Sequence, residues 1–137
     1  MAFHSVPLSY QPKLDAVFDG RCRQTIRMGR RYRPGDEVLF FEWTGRPYRS
    51  KWGRRRRVTL TSALPITLRD DSYVLHVTDR ARSALPALPV SWSWPEADGL
   101  ASRDWIDPPT GEELRRVLES FHGPFPRGGM VGQVLGW

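Results

Sequence analysis

The sequence predicts a small α+β fold, in which a curled sheet of short strands is plugged by two or three helices. Three observations predict this class. Segments rich in strand-forming residues follow one another through the middle of the chain, amphipathic helical patterns lie near both ends, and neither an internal repeat nor a long linker divides the 137 residues. A chain of this length can bury roughly two thirds of its unfolded surface, so we expect a single domain over residues 1–137.

The N-terminal elements are predicted to be a strand, a helix and a second strand. Residues 6–10 favour a short strand, and Pro12 suits the first turn of a helix that ends at Gly20. One face of this helix is apolar, with Leu14, Val17 and Phe18. Residues 21–28 alternate, which predicts a strand. One face carries Cys22, Gln24, Ile26 and Met28, and the other Arg21, Arg23, Thr25 and Arg27.

The middle of the chain is predicted to be a series of strands separated by turns. Pro34 and Gly35 are typical of a tight turn, and residues 37–43 are rich in strand formers. Residues 44–53 carry turn formers and predict a hairpin loop. Further strands are expected over residues 54–64 and 73–78, with a break at 69–71.

The C-terminal third is predicted to contain a loop, a helix and a last strand. Residues 79–109 hold five prolines after residue 85 and three tryptophans, Trp92, Trp94 and Trp105. We expect an ordered loop with a short helical turn, packed by the indoles, although Trp92 or Trp94 could instead stack on a base. Residues 110–121 predict a helix with a capping box and an apolar face. Its apolar face carries Leu114, Val117, Leu118 and Phe121, and residues 130–137 would close the sheet.

The charge of the chain is concentrated in one segment. The net charge is +6, but residues 21–57 hold 13 basic and 3 acidic side chains, a local charge of +10. Such a patch raises the local concentration of polyanions and speeds their capture. Arginine supplies 19 of the 21 basic residues, which suits bidentate contacts with phosphate. A genomic bias towards arginine explains that composition equally well.

Cysteine and histidine usage excludes several classes of site. Cys22 is the single cysteine, and His4, His76 and His122 show no zinc-like spacing beside it. The sequence has no phosphate-loop, dinucleotide-binding or Ser-His-Asp motif. It also has no leader-like N-terminus and no run of about 18 apolar residues. We therefore predict a cytoplasmic protein with no metal, cofactor or membrane contact.

Basic and aromatic residues interleave between residues 43 and 57. Single-stranded nucleic acid is bound by such mixtures, because guanidinium groups follow phosphates while aromatic faces stack bases. The alternative is a solvated charged strand whose aromatics cover one end of the sheet. The residues predicted for nucleic-acid contact are Arg21, Arg23, Thr25, Arg27, Trp43, Arg49, Lys51, Trp52, Arg54, Arg55, Arg56 and Arg57.

Residues 20–36, reading G-R-C-R-Q-T-I-R-M-G-R-R-Y-R-P-G-D, resemble the core motif of the ASCH domain family of the PUA-like superfamily. That motif has a Gly-Lys-Lys-Thr-x-Thr-Ile-Arg-like segment followed by Gly-Asp. The further matches are Leu8-Ser9-Tyr10, Pro12 and, more weakly, Ala97-Asp98-Gly99-Leu100. The resemblance implies a PUA-like mixed β-barrel of five or six strands, with RNA or modified nucleosides as ligands.

The resemblance also identifies candidate catalytic residues. Some ASCH members remove acetyl from N4-acetylcytidine with a lysine three residues before a threonine, that threonine and a later glutamate. The matching positions here are Cys22, Thr25 and Asp98. Loss of the lysine leaves a hydroxyl nucleophile without its base. Cys22 could itself be a nucleophile, its thiolate favoured by the flanking arginines, or it could be a buried apolar residue, as lone cysteines usually are.

The sequence therefore favours binding over catalysis. Our first expectation is an ASCH domain that recognises RNA or a modified nucleobase through a basic cleft. Two alternatives remain open at this point. One is an enzyme, either a hydrolase of an acylated nucleoside or a ribonuclease, and the other is a protein-interaction module that meets an acidic partner.

Overall fold

The computed structural model of the chain describes residues 2–77 and 88–137, which form eight strands, three α-helices and one 3-10 helix. This confirms the predicted α+β class. In chain order the elements are β1 (Phe3–Leu8), α1 (Gln11–Asp19), β2 (Gln24–Met28), β3 (Glu37–Trp43), β4 (Trp52–Thr59), β5 (Ser62–Leu68), β6 (Ser72–Val77), β7 (Leu88–Ser93), the 3-10 helix (Trp94–Glu96), α2 (Asp98–Arg103), α3 (Gly111–His122) and β8 (Met130–Gly136).

The strands form two sheets. In the smaller sheet the order is β1-β3-β4, with β1 parallel to β3 and β3 antiparallel to β4. In the larger sheet the order is β2-β8-β5-β6-β7, and every pair is antiparallel. The hydrogen-bonded pairs of the described strands do not close these sheets into the predicted barrel. The last strand, β8, lies inside the larger sheet between β2 and β5, because its residues pair on both sides.

Helix α1 forms where the sequence predicts it. Pro12 lies in its first turn, and Gly20 ends it with a φ of 89°, a left-handed conformation that glycine adopts without strain. The buried face of the helix carries Leu14 and Val17, and Lys13 lies beside them with 5% of its surface exposed. The helix therefore brings one ammonium group into the interior.

The predicted strand over residues 54–64 is in fact two strands in different sheets. Strand β4 ends at Thr59 and β5 begins at Ser62. Between them the Leu60 amide donates to the Asp36 carbonyl of the β3 side, and the Thr61 amide donates to the Gly136 carbonyl of β8. The chain thus crosses from one sheet to the other without a glycine or proline, so nothing in the residue pattern marked the break.

The proline-rich region contains a strand that the sequence did not predict. Residues 78–87 lie outside the described residues, and β7 follows them at the end of the larger sheet with Pro89 in it. Proline fits such a position because it has no amide to donate to a neighbouring strand. The side chain of Trp92 also lies outside the described part. Trp94 is buried, and its indole N–H donates to the Arg69 carbonyl at 2.9 Å, so it packs as predicted.

Helix α3 keeps half of its predicted capping box. The Thr110 hydroxyl accepts a hydrogen bond from the Glu113 amide at 3.2 Å. The Glu113 carboxylate, however, bonds the Arg116 guanidinium instead of returning to the Thr110 amide. The apolar face is buried as predicted except at its last member, since Phe121 is 53% exposed.

Two hydrophobic clusters lie on either side of β8. One packs α2 and α3 against the larger sheet and includes Val134, while the other packs α1 against the smaller sheet and includes Leu135. Successive side chains of a strand point to opposite faces, so β8 contributes to both clusters. Among the described helices, none is both long and apolar enough to cross a membrane.

Candidate active site

A cavity of about 200 Å³ lies where α1, β2 and α3 meet. Its walls come from the end of β1, the start of α1, the middle of β2, the residues after α2 and the last turns of α3. Several polar side chains reach it. The polar residues that line it are Ser9, Tyr10, Lys13, Thr25, Arg27, Asp104 and His122.

Lys13, Thr25 and Asp104 form a connected group in this cavity. The Lys13 ammonium donates to the Thr25 hydroxyl at 2.9 Å and to the Asp104 carboxylate at 2.9 Å. All three residues are at most 5% exposed. They come from three elements, because Lys13 lies on the inner face of α1, Thr25 on β2 and Asp104 at the end of α2. The Lys13 ammonium thus lies within hydrogen-bond distance of both a hydroxyl and a carboxylate.

Burial raises the pKa of the Asp104 carboxyl above its ordinary value. The Lys13 ammonium, the Arg27 charge and hydrogen bonds from Lys13 and Gln24 oppose this effect without cancelling it. The carboxyl group therefore binds a proton more readily than an exposed aspartate does.

Arg27 supplies a second positive charge to the cavity. One guanidinium nitrogen, Nη2, donates to the Pro7 carbonyl at 2.6 Å. The Nε atom is buried and has no hydrogen-bond acceptor among the described residues. Burial lowers the pKa of this arginine from its ordinary value, yet a guanidinium remains charged at neutral pH.

The end of α3 forms another wall of the cavity. Burial, assisted by the positive charge of Arg27, lowers the pKa of His122, so its imidazole is neutral at physiological pH. Phe121 precedes it with half of its surface exposed, and both residues line the cavity. An apolar ring and a neutral imidazole therefore border the space beside the charged group.

Two members of the buried group are absent from the residues predicted to be catalytic. Lys13 follows Pro12 and shares the helical stripe of Ala16 and Val17, so its place on the buried face could have been inferred from the helical period. Asp104 follows α2, and no motif distinguishes it from the neighbouring Asp98 or Asp107. Only the tertiary structure identifies that carboxylate.

Asp98 has a different role from the predicted one. Its Oδ1 accepts a hydrogen bond from the Gly111 amide at 3.0 Å, and it does not line the cavity. This contact joins the start of α2 to the start of α3. The carboxylate that approaches Thr25 through Lys13 is Asp104.

Cys22 is a buried apolar residue. Its exposed surface is 0%, and it packs in the cluster below α1. Burial raises its pKa, so the thiol stays protonated, and Sγ donates to the Gln24 carbonyl at 3.2 Å. Of the two alternatives for Cys22, the structure therefore matches the buried apolar residue and not the activated thiolate, because the flanking arginine side chains are exposed while the sulfur is enclosed.

The predicted face of arginines around Thr25 is divided in the structure. Strand β2 begins only at Gln24, so Arg21 and Arg23 precede it and are exposed. The Arg21 guanidinium bonds the Asp19 carboxylate at 2.6 Å and lies 5.0 Å from the Trp105 ring centre. Thr25 and Arg27 reach the cavity together.

Most arginines of β4 are engaged within the protein. Arg54 bonds the carboxylates of Glu42 and Asp15 at 3.0 and 2.7 Å, and Arg57 bonds Glu37. Arg55 lies 5.3 Å from the ring centre of Trp52, and Arg56 is half-buried beside the Phe18 carbonyl at 3.5 Å. This strand largely matches the alternative of an internally compensated charged strand.

The loop between β3 and β4 differs from the strand that follows it. Arg46, Arg49 and Lys51 are exposed and form no ion pair with any described residue. Trp43 and Trp52 pack in a cluster with Phe41, whose ring stacks on Trp52 with centres 3.9 Å apart. Tyr48 is 83% exposed in a left-handed conformation, with a φ of 62°. The loop thus combines three free cations and one exposed aromatic ring.

Comparison with protein-family models, curated proteins and solved structures found no match to this chain. The site is therefore interpreted from its own residues. Within residues 2–77 and 88–137, no group of three or more metal-binding side chains is found.

Proposed function

We propose that this chain is an ASCH-like hydrolase that cleaves the amide bond of a small acylated base, such as an N4-acylated cytosine nucleoside. One observation carries the proposal. The Lys13 ammonium lies 2.9 Å from both the Thr25 hydroxyl and the Asp104 carboxylate, inside a cavity. A nucleophile, its base and a group that orients the base form the usual arrangement for covalent catalysis.

Lys13 would replace the lysine that the ASCH-like motif lacks in this chain. The motif position holds Cys22, and its thiol is buried and protonated. Lys13 instead reaches Thr25 from α1, twelve residues earlier. Asp104 likewise takes the place predicted for Asp98. The same three kinds of group are thus supplied from different positions in the chain.

The first half of the proposed reaction acylates Thr25. Lys13 passes a proton to Asp104, whose raised pKa favours its acceptance, and becomes a neutral amine. That amine takes the Thr25 proton while Oγ1 attacks the acyl carbon, so a C–O bond forms. Lys13 then gives the proton to the leaving nitrogen as the C–N bond breaks. The amine product departs and an acyl ester remains on Thr25.

The second half releases the acyl group. Lys13 takes a proton from water, the water oxygen attacks the ester carbon, and the Thr25 oxygen leaves with that proton restored. Asp104 then returns its proton to Lys13, which restores the resting pair. One water is consumed, and one carboxylic acid and one amine are produced. The cavity of about 200 Å³ is smaller than the roughly 300–1,000 Å³ of sites for drug-sized ligands, so it suits the acylated base of such a nucleoside and does not enclose the ribose as well.

The proposed family also bears on the fold. The structure is α+β with two sheets. That this architecture is related to the PUA-like fold is part of the proposal. In this proposal the sheets correspond to two parts of a barrel that the described strand pairs leave open.

The test is an assay of N4-acetylcytidine hydrolysis by the purified chain, with cytidine measured by chromatography. Thr25→Val keeps the shape of the side chain but removes the hydroxyl, and we expect it to lower kcat/KM by about a hundredfold or more. Thr25→Ser should retain activity. Lys13→Met should be as damaging as Thr25→Val. Lys51→Met is the matched control, because Lys51 is the other lysine of the chain and is exposed.

Two results would contradict the proposal. The first is the absence of turnover by the wild-type chain on N4-acetylcytidine and on a series of other acylated nucleobases. The second is turnover that Thr25→Val leaves unchanged. Circular dichroism of each variant shows whether a loss of activity reflects chemistry or unfolding.

A second candidate function is binding of single-stranded RNA by the loop between β3 and β4. The three unpaired cations and the exposed ring of Tyr48 favour it, because phosphates and bases require these two kinds of partner. The log of the binding constant should fall by about 0.7 per phosphate contact for each tenfold rise in salt concentration.

Charge-matched variants distinguish RNA binding by this loop from attraction to the whole basic protein. Replacing Arg46, Arg49 and Lys51 by glutamine should weaken binding to a labelled oligonucleotide and reduce the salt dependence. Replacing three basic residues elsewhere, Arg115, Arg116 and Arg127, should have a much smaller effect. Equal losses in the two triple variants would argue against a site in this loop.

A further inference from the structure

The cavity holds more positive than negative charge. Among the described residues that line it, Lys13 and Arg27 are cationic and Asp104 is the one carboxylate. The imidazole of His122 is neutral at physiological pH, because burial and Arg27 lower its pKa. Asp104 is bonded directly to Lys13 at 2.9 Å. One positive charge, that of Arg27, therefore has no carboxylate of its own.

The hydrogen bonds of Arg27 are also incomplete. Nη2 is bonded to the Pro7 carbonyl, but the buried Nε has no acceptor among the residues that the structure describes. A buried donor left without an acceptor costs free energy, and the cost is larger for a charged group. An anionic ligand in the cavity would offset part of that cost by pairing with the charge of the guanidinium.

We propose that the ligand of this cavity carries an anionic group of carboxylate size, which pairs with the Arg27 guanidinium that lines the cavity. The inference rests on the proposed function in taking this cavity as the substrate site. It narrows the substrate class to acylated bases or similar amides that also bear an acid group. A negative charge on the ligand balances the charge of the cavity, and a guanidinium binds a carboxylate more strongly than a neutral acceptor.

Arg27 is well placed to select a ligand without taking part in bond cleavage. It lies two residues after Thr25 on β2, and side chains at this spacing point to the same face of a strand. Cα atoms two residues apart in a strand are separated by about 6.6 Å. An acid group bound to Arg27 therefore leaves room for the acyl carbon to approach Thr25. This makes Arg27 a specificity-determining residue of the site.

The test compares anionic ligands with their neutral esters. Binding of orotate and benzoate, each against its methyl ester, is measured by calorimetry at pH 7. We expect each acid to bind the wild-type chain at least about tenfold more tightly than its ester, since a charge-assisted hydrogen bond gives about that difference. Arg27→Gln should abolish the preference. Arg27→Lys, which keeps the charge, should retain part of it.

Arg23→Gln is the matched control, because it removes one exposed arginine near the start of the same strand. Its preference for the acids should equal that of the wild type. Failure of both acids to bind, equal binding of acid and ester, or a preference that survives in Arg27→Gln would each overturn the inference. Melting temperatures of both variants show that the fold is retained, and Arg27→Lys provides the comparison if Arg27→Gln unfolds.

The outcome is separable from that of the proposed hydrolase. Turnover of the uncharged N4-acetylcytidine, lost in Thr25→Val, together with equal binding of acid and ester, would support the hydrolase and overturn the inference. Arg27-dependent binding of orotate without hydrolysis of any acylated base would do the reverse. The two measurements use different probes and different variants.

Discussion

At the scale of single residues, Lys13 is held in an arrangement that is costly to fold. Transfer of an ammonium and a carboxylate from water to the interior costs several kcal/mol per ion, and their mutual attraction often only compensates for it. Hydrophobic residues of similar volume would fill the space between α1 and β2 at least as well. The pair is therefore better explained by the site that it forms with Thr25 than by its contribution to stability.

We predict that removing one member of this pair destabilises the protein far more than removing both. Lys13→Met or Asp104→Asn alone should lower the free energy of unfolding by about 3–5 kcal/mol, because the partner is left buried without its counterion. The double variant Lys13→Met/Asp104→Leu should recover most of that loss. Urea denaturation of the three variants measures the differences.

Lys51→Met is again the control for the loss of a lysine, and it should change the free energy of unfolding by less than about 0.5 kcal/mol. If the losses of the two single variants simply add in the double variant, Lys13 and Asp104 are not coupled. The short distance between Lys13 and Asp104 would then not correspond to a coupling free energy between them.

Cys22 gives a second prediction at this scale. Because its thiol is buried and burial raises its pKa, we expect iodoacetamide to leave the folded protein unmodified and to alkylate it fully in denaturant. Mass spectrometry of the intact chain measures the fraction modified. Rapid alkylation of the folded protein at neutral pH would show that Arg21 and Arg23 do activate the thiol.

The residues of the site could be predicted only in part. Thr25 and Arg27 belong to a strand whose alternation is visible in the sequence, and both reach the cavity. Lys13 belongs to a predicted helix, but its function depends on contact with a residue twelve positions later. Asp104 is 91 positions from Lys13 in the chain, and no local pattern links residues at that separation.

At the scale of elements, the best predictions concern segments whose own residues determine where they begin and end. Helix α1 has Pro12 and Gly20 at its two ends, and β3 follows the Pro34-Gly35 turn. The boundary between β4 and β5 could not be predicted, because it arises from hydrogen bonds to two different sheets. Local signals thus fix the ends of elements, whereas sheet membership depends on distant partners.

The junction of the 3-10 helix with α3 leads to a third prediction. A Cβ atom on Gly111 would overlap the carbonyl oxygen of Trp94 and lie 2.7 Å from the Cβ of Ala97. Because this oxygen belongs to the backbone, it cannot move aside cheaply. Gly111→Ala should therefore lower the free energy of unfolding by about 3 kcal/mol or more, although the same change in an open helix stabilises it.

Gly128→Ala is the control for that experiment. A Cβ at Gly128 meets nothing within 4 Å, so its effect on urea denaturation should be small. Equal stability of Gly111→Ala and the wild type would mean that α3 can move away from Trp94. That result would also argue against the hydrogen bond from the Gly111 amide to the Asp98 carboxylate.

At the scale of the whole molecule, two buried carboxyl groups change the stability in opposite directions as the pH falls. Burial raises the pKa of Asp104, so its protonation as the pH falls favours the folded state. Asp36 behaves in the opposite way, since its pKa is lowered to about 2 from 3.8. The first group belongs to the candidate site and the second to the frame that supports it. The change of the free energy of unfolding at acid pH therefore combines the effects of Asp104 and Asp36.

Asp36 joins the N-terminal segment to the turn before β3 by hydrogen bonds. Its carboxylate accepts from the Ala2 amide at 3.0 Å, which is the main reason for the lowered pKa, and from the Arg33 amide at 3.1 Å. The His4 Nε2 atom lies 2.9 Å from Oδ2, the same carboxylate oxygen that the Arg33 amide bonds. These contacts need the ionised carboxylate, so the stability they give depends on pH.

A fourth prediction follows from the sign of this shift. The folded pKa of Asp36 lies below the unfolded value, so its contribution is fully present above about pH 4 and is lost as the pH falls towards 2. Asp36→Asn removes the charge but keeps the size of the side chain, and we expect it to be less stable than the wild type at pH 5. The difference between the two urea midpoints should shrink steadily between pH 4 and pH 2.

Asp71→Asn is the control, because Asp71 is an exposed aspartate on another turn. Its urea midpoint should change with pH in the same way as that of the wild type. A difference for Asp36→Asn that stays constant over this range would show that the carboxylate acts by shape alone and that its ionisation is not linked to folding.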